Sequence, residues 1–301
     1  MMNNKYNFSS KFKIANIFSL VLFVASVLFI LFKGLNYGID FKGGTLIELR
    51  ANNTKASEIR TVLNNMNVGD VNVKKFGQEG DFLIKVEQKE NDGNKITSQI
   101  KENLSDNLNT KINFRRVENV GPKISSELLQ SGIIAISLSL AAMLFYIWIR
   151  FEWQFSIGSI IALFHDVVIT IGIFSVLSLE INLSIIAAVL TIVGYSMNDT
   201  VVIYDRIREN LNKYNRLNIS EIADLSINDT LARTIITSVT TLLALLSIFI
   251  LGGEILRGFS FAMILGVIIG TYSSIFVASP MLKFLKVTFK TLEKEEEKIV
   301  P

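Results

Sequence analysis

Hydrophobic and polar positions are laid out on two scales along this chain. Apolar residues run almost unbroken near 14–32, 133–149, 155–177, 183–203, 234–251 and 259–282. A bilayer core takes about 20 apolar residues per helix, so these six runs predict six membrane-spanning helices. Between the first two runs the pattern changes. Residues 45–50 alternate as a strand does, 71–76 and 82–86 read as strands, and 111–117 as a last one. Residues 57–66 place Ile59, Val62, Leu63 and Met66 on one helical side, and 96–108 repeat that spacing through Ile96, Ile100, Leu104 and Leu108. The order β-α-β-β-α-β predicts a ferredoxin-like α+β domain, two helices on one sheet. That fold hosts many functions, and the domain reads either as a binding face or as a packed spacer. The expected organisation is a tail and first span (1–33), the α+β domain (34–122), the remaining spans (123–282) with a helical loop near 205–231, and a tail (283–301).

Charge sets the orientation. Lys5, Lys11 and Lys13 precede the first span, Arg150 separates the second and third, and Arg206, Arg208, Lys213 and Arg216 separate the fourth and fifth. Lys283, Lys286 and Lys290 follow the sixth. The short loops on the other side carry only Arg257, with Glu180 and Glu254. The positive-inside rule therefore predicts cytoplasmic termini, with 34–122 on the opposite, periplasmic side. The first span is long for a signal core, and no small-x-small site follows it, so a retained anchor is expected. Composition then narrows the chemistry. Half of the 301 residues are hydrophobic, only 19% are charged and the mean hydropathy is +0.43. With no cysteine and a single histidine, His165, the chain excludes disulfides, thiolate metal sites and any site built from several histidines. No cofactor is expected.

Lipid gives helices no hydrophobic reason to associate, so small and polar residues mark their contacts. In the fourth span Ser184, Ala187, Ala188, Thr191, Gly194, Tyr195, Asn198 and Asp199 form one stripe; Leu183, Ile186, Leu190, Val193 and Met197 form the opposite, lipid-like face. The fifth shows Arg233, Thr237, Thr240, Thr241, Ala244 and Ser247 on one side, and the sixth a four-residue repeat of Ala262, Gly266, Gly270, Ser274 and Ala278 suited to close backbone approach. Antiparallel packing brings Asp199 and Arg233 to similar depth. A charge at the bilayer centre costs roughly 2.5–3.5 kcal/mol even on the mild insertion scale. Burial favours the neutral carboxyl and a nearby arginine the ionised form, while arginine itself stays charged. This spacing fits either a proton-driven switch or a static ion pair. His165 and Asp166, near the middle of the third span with Ser159, Ala162 and Thr170 on the Asp166 face, fit either direct proton work or a hydrogen-bonded structural pair.

The motifs GIDFKGGTLIELR (38–50), VGPKISSELL (120–129), ALFHDVVITIGIFSV (162–176), GYSMNDTVVIYDRIREN (194–210) and DTLARTIITSVTTLL (229–243) resemble those of the SecD/SecF family of bacterial protein-export membrane proteins, within the resistance-nodulation-division superfamily. The resemblance implies half of a twelve-span bundle in the inner membrane, completed by SecD. It further implies association with the SecYEG channel and use of the proton-motive force on a translocating preprotein after the ATP-driven step of SecA. No nucleic-acid partner and no enzymatic activity are implied. It also implies that Asp199, Arg233 and Thr237 belong to a proton pathway; the span pattern itself, not the resemblance, adds Asn198, His165 and Asp166 as secondary candidates. Three other readings are a half-size small-solute exporter of the same superfamily, an assembly subunit without proton conduction, and an intramembrane aspartyl protease using Asp166 and Asp199. The last needs two carboxylates close enough to share a proton.

Overall fold

Apolar length and end-capping chemistry decide where the helices begin and stop. A computed structural model describes residues 6–296 apart from 67, 76, 88–92, 109 and 215. Lys5 among the orienting charges, Phe76 at the end of a predicted strand, and 297–301 of the tail lie outside these residues. In chain order the elements are α1 (Phe12–Phe32), β1 (Asn36–Tyr37), α2 (Ile39–Lys42), β2 (Gly44–Ala51), α3 (Ala56–Asn65), β3 (Val71–Lys75), β4 (Asp81–Val86), α4 (Gly93–Asn107) and β5 (Ile112–Val120). There follow α5 (Pro122–Arg150), α6 (Trp153–Val176), β6 (Glu180–Ile181), α7 (Leu183–Lys213), α8 (Ile219–Leu251) and α9 (Gly253–Ser273). A π-helical turn (Ser274–Ala278), α10 (Ser279–Phe284) and α11 (Phe289–Glu296) close the chain.

Among the described residues six helices are long and apolar enough to cross a membrane: α1, α5, α6, α7, α8, and the continuous run of α9, π-turn and α10. Several outrun their apolar stretches because their ends are capped. Asn218 accepts from the Ser220 and Glu221 amides, both at 3.0 Å, and Glu221 accepts from the Asn218 amide, also at 3.0 Å. This capping box starts α8 well before the apolar run. Between α7 and α8 the expected helical loop is a hairpin of polar extensions, held by Arg206 donating to Asp229 at 2.8 Å and Asn210 to Ser226 at 2.9 Å. Helices α6, α7 and the sixth span form the inside of the bundle; α1, α5 and α8 lie outside it and carry exposed apolar side chains, as a surface solvated by lipid tails does.

The domain between α1 and α5 has the predicted β-α-β-β-α-β order. Its sheet runs β3-β4-β2-β5 with every neighbouring pair antiparallel, the ferredoxin-like arrangement. Helices α3 and α4 cover one face, where Ile47, Leu49, Ile59, Leu63, Phe82, Ile84, Ile100 and Leu104 are fully buried.

A junction that periodicity does not reveal ties this domain to the bundle. Strand β1 pairs in parallel with β6, and the Gly38 amide donates to the Ile181 carbonyl at 2.8 Å. Asp40 accepts from the Leu183 amide at 2.8 Å, the first residue of α7, and Lys85 pairs with Glu180. Gly44, at φ +141°, lies where a Cβ would stand 2.4 Å from the Val86 carbonyl oxygen. Only glycine lets β2 leave α2 so close to β4.

Candidate functional site

The inner helices α6, α7 and α9 meet along polar residues, and the packing there is tight enough to fix them. On the sixth span the small repeat does what its spacing predicts. A Cβ on Gly266 would lie 2.2 Å from Ile192 Cγ1, and one on Gly270 would lie 2.9 Å from Ser196 Cβ. Backbone contact between α9 and α7 delivers hydroxyls from one helix to carboxylates on its neighbours.

Asp199 is 3% exposed, inside the bundle as expected. Its hydrogen-bond partner is Thr271 of α9, at 3.5 Å, and Thr271 shares a 2.8 Å bond with Ser238 of α8. Arg233 does not pair with it. The Arg233 guanidinium makes no ion pair or hydrogen bond among the described residues; it is exposed and acts on Asp199 only from beyond ion-pair reach. Of the two alternatives, the ion pair is not formed: α8 turns Ser238 and Thr234 inward and leaves Arg233 on its open side. Thr237 donates to the Arg233 and Thr234 carbonyls of its own helix, each at 3.0 Å, so its hydroxyl is occupied locally.

The face assigned to α7 is also corrected. Val193 and Met197, expected to face lipid, are 0% and 4% exposed, while Ala187, Thr191 and Asn198 of the small and polar stripe are exposed. The buried stripe runs through Ile185, Ala188, Val189, Ile192, Ser196, Asp199 and Ile203. It shares with the expected stripe only Ala188 and Asp199.

A second polar group sits beside the first. Asp166, with no exposed surface, accepts from Ser196 of α7 and from Ser273 of α9, the latter at 2.7 Å, and lies 2.9 Å from His165 Nδ1. Ser159, Ala162 and Thr170 are buried on the same face. Asp166 and Asp199 thus have separate sets of hydroxyl donors and share no hydrogen bond among the described residues, so the geometry a proton-sharing protease dyad requires is not there. Sequence reasoning missed Ser196, Ser238, Thr271 and Ser273. Each is a lone hydroxyl that a span tolerates anywhere; the readable signal for the last two was their position within a turn of Gly270 and Ser274.

Comparison with known proteins gives a consistent set of relatives. The family profile "Protein export membrane protein SecD/SecF, C-terminal" matches residues 100–288, and "SecD/SecF GG Motif" matches 28–55. The chain is 46% identical over 279 residues to a protein translocase subunit SecF of Rickettsia bellii, covering 92% of each. It is 42% identical over 271 residues to one of Vibrio alginolyticus, covering 89% of this chain and 86% of that protein. Among solved structures, SecDF of Thermus thermophilus, described as a translocon-associated membrane protein, superposes with a TM-score of 0.84 at 36% identity, and SecDF in a super-membrane-facing form with 0.71 at 34%. These cover 94% and 99% of this chain but only 39% and 41% of those longer polypeptides.

Proposed function

We propose a function from one established premise: this chain belongs to the SecD/SecF family of protein export membrane proteins. It acts as the SecF-type subunit of the Sec export machinery, a transport component rather than an enzyme. SecD supplies the other half of the bundle. The assembly works with SecYEG, after the ATP-driven step of SecA, and uses the proton-motive force to draw preproteins outward across the inner membrane. In this reading both termini are cytoplasmic and residues 34–122 are periplasmic.

The observation that carries the reading is Asp199 itself. A carboxylate 3% exposed, held by one long hydroxyl contact and no cation within 4 Å among the described residues, is poorly compensated as an anion. It therefore exchanges a proton when its surroundings change. Beside it, α7 and α8 present Thr191, Asn198, Arg233 and Thr240 outward. These groups meet SecD or water in the assembly, and there Arg233 and Thr237 enter the proton route. One elementary charge crossing 100 mV is worth about 2.3 kcal/mol, a bias of more than tenfold on a two-state bundle. A static Asp199–Arg233 pair that merely orders the helices finds no support, since no bond joins them.

The test is Asp199→Asn in proteoliposomes holding SecYEG, SecA and SecD. SecD should co-purify normally, and dissipating the proton gradient should no longer slow translocation. A variant that keeps full gradient dependence overturns the motor. Transport of a labelled small solute by the same liposomes would instead favour the exporter reading.

A further inference from the structure

His165 is the only histidine of the chain, 6% exposed, and its two nitrogens have different fates. Nδ1 lies 2.9 Å from Asp166 Oδ1. The other Asp166 oxygen receives the hydroxyls of Ser196 and Ser273. An ionised carboxylate only accepts hydrogen bonds, so with Asp166 ionised Nδ1 carries the hydrogen and Nε2 presents its lone pair. Nε2 is buried and has no hydrogen-bond partner among the described residues. Buried polar atoms are nearly always satisfied, and an orphan asks for an explanation. The arrangement, a carboxylate fixing one imidazole nitrogen so that the other is left as a base, is the one by which proteins make histidine a proton carrier.

We propose that Nε2 of His165 is a second proton-binding site of the bundle, with Asp166, Ser196 and Ser273 as its positioning residues. The proposal rests on the proton-driven reading of this chain and deepens it. A proton delivered from water binds the Nε2 lone pair; no protein bond breaks, and the neutral imidazole beside a carboxylate becomes an imidazolium–carboxylate pair. The proton leaves from the same nitrogen.

The two sites are mechanically joined. Ser196 stands one turn before Asp199 on α7, and Thr271, the donor to Asp199, stands two residues before Ser273 on α9. A shift of α7 or α9 that follows proton exchange at Asp199 therefore changes the hydroxyls on Asp166. The π-helical turn Ser274–Ala278 directly after Ser273 is the kind of insertion found at functional sites.

Few other ionisable groups face His165 from the elements packed against α6. Helix α1 has none after Lys13, α5 none between Glu127 and Tyr146, and the π-turn none. On α10, Lys283 lies beyond the π-turn, in the last turn of that helix. On α9, besides Glu254 and Arg257 near its start, the one such group is Tyr272, whose hydroxyl donates to Ala15 of α1 at 2.9 Å. On α7 they are Asp199, Tyr195, whose buried hydroxyl has no hydrogen-bond partner among the described residues, and Tyr204, which donates to the Ala278 carbonyl at 2.8 Å; Asp205, Arg206, Arg208, Glu209 and Lys213 follow in its polar extension.

The test uses the complex with SecD, with this chain alone carrying 15N-histidine, so that every imidazole signal is His165. The expected spectrum shows the Nδ1–H tautomer with a bare Nε2 at alkaline pH, replaced by imidazolium as pH falls; Asp166→Asn should abolish the tautomer preference. His165→Gln should lower gradient-stimulated translocation about tenfold or more with SecD co-purification unchanged. An Nε2–H tautomer, or a spectrum indifferent to pH, overturns the proposal. Full stimulation in His165→Gln, with stimulation lost in Asp199→Asn, also overturns it and leaves the motor standing. Stimulation retained in both removes the motor itself. Should His165→Gln fail to assemble, the spectrum of the unsubstituted chain decides.

Discussion

A carboxylate's surroundings decide what it does, and this chain holds three contrasting cases. Asp166 has three donors, Asp199 one long contact, and Asp81 in the α+β domain two arginines. Asp81 accepts from Arg50 Nε at 2.6 Å and Nη2 at 3.0 Å and from Arg115 at 3.2 Å. The Arg50 bonds, with help from Arg115, hold its carboxyl below the usual carboxylate range. A carboxyl whose folded pKa is depressed binds its proton more readily in the unfolded chain. Its stabilising contribution is therefore present above about pH 4, the unfolded value, and is lost as pH falls through the folded one. In Asp81→Asn the amide protons of β2 and β4 should exchange faster than in the parent at neutral pH. That difference should shrink on acidification below about pH 4. Hydrogen exchange of the full-length protein checks both, and an equal difference at every pH would contradict the assignment.

At the scale of elements, one contact organises the bundle: α9 laid against α7 with glycines at the crossing. The space is filled by Ile192 and Ser196 rather than empty, so it does not absorb a larger side chain. Gly266→Leu should destabilise the bundle by about 1–3 kcal/mol, the usual cost of overpacking. It should appear as a lower thermal midpoint of the detergent-solubilised protein, and Ile192→Ala should restore part of the loss in the double variant. Additive losses would mean the two side chains do not compete. The same contact holds Thr271 and Ser273 against their carboxylates, so gradient-dependent activity should fall with it. At the other end of α7, Asp40 caps a helix whose own cap, Asn182, already accepts from Ile185 at 3.2 Å. That cross-domain cap is why the GIDFKGG segment belongs to the bundle as much as to the domain.

For the molecule as a whole, the telling feature is an open side. Small and polar residues of α7 and α8, among them Thr191, Asn198, Arg233 and Thr240, are exposed beside the apolar ones of α8, whereas after Lys13 the exposed residues of α1 are all apolar, with Ile14 and Leu31 at 73% and 72%. Lipid tails suit the second surface and leave the first unsatisfied. Because the chain has no cysteine, single cysteines report cleanly. Thr191→Cys should react with a membrane-permeant maleimide in the isolated chain and be protected several-fold when SecD is co-assembled, while Leu31→Cys should react equally in both. Equal labelling of Thr191→Cys would place the partner elsewhere.

How much of this was legible depends on whether local pattern or partner identity decides a feature. Six spans, the β-α-β-β-α-β domain and the close-approach repeat of the sixth span follow from length, period and side-chain size, which are properties of short segments, and so does the burial of Asp199 and Asp166. The rotation of α7 did not follow. Small and polar residues mark helix contacts, but the rule is silent on whether the contacting helix belongs to the same chain. Here Val193 and Met197 face the chain's own bundle while Thr191 and Asn198 stay open, and only the tertiary structure decides between the two. It likewise decides which hydroxyls reach which carboxylate, that Arg233 stands apart from Asp199, and that one nitrogen of His165 is left bare, because hydrogen bonds between helices depend on depth and rotation to within an ångström, which no spacing along one helix encodes.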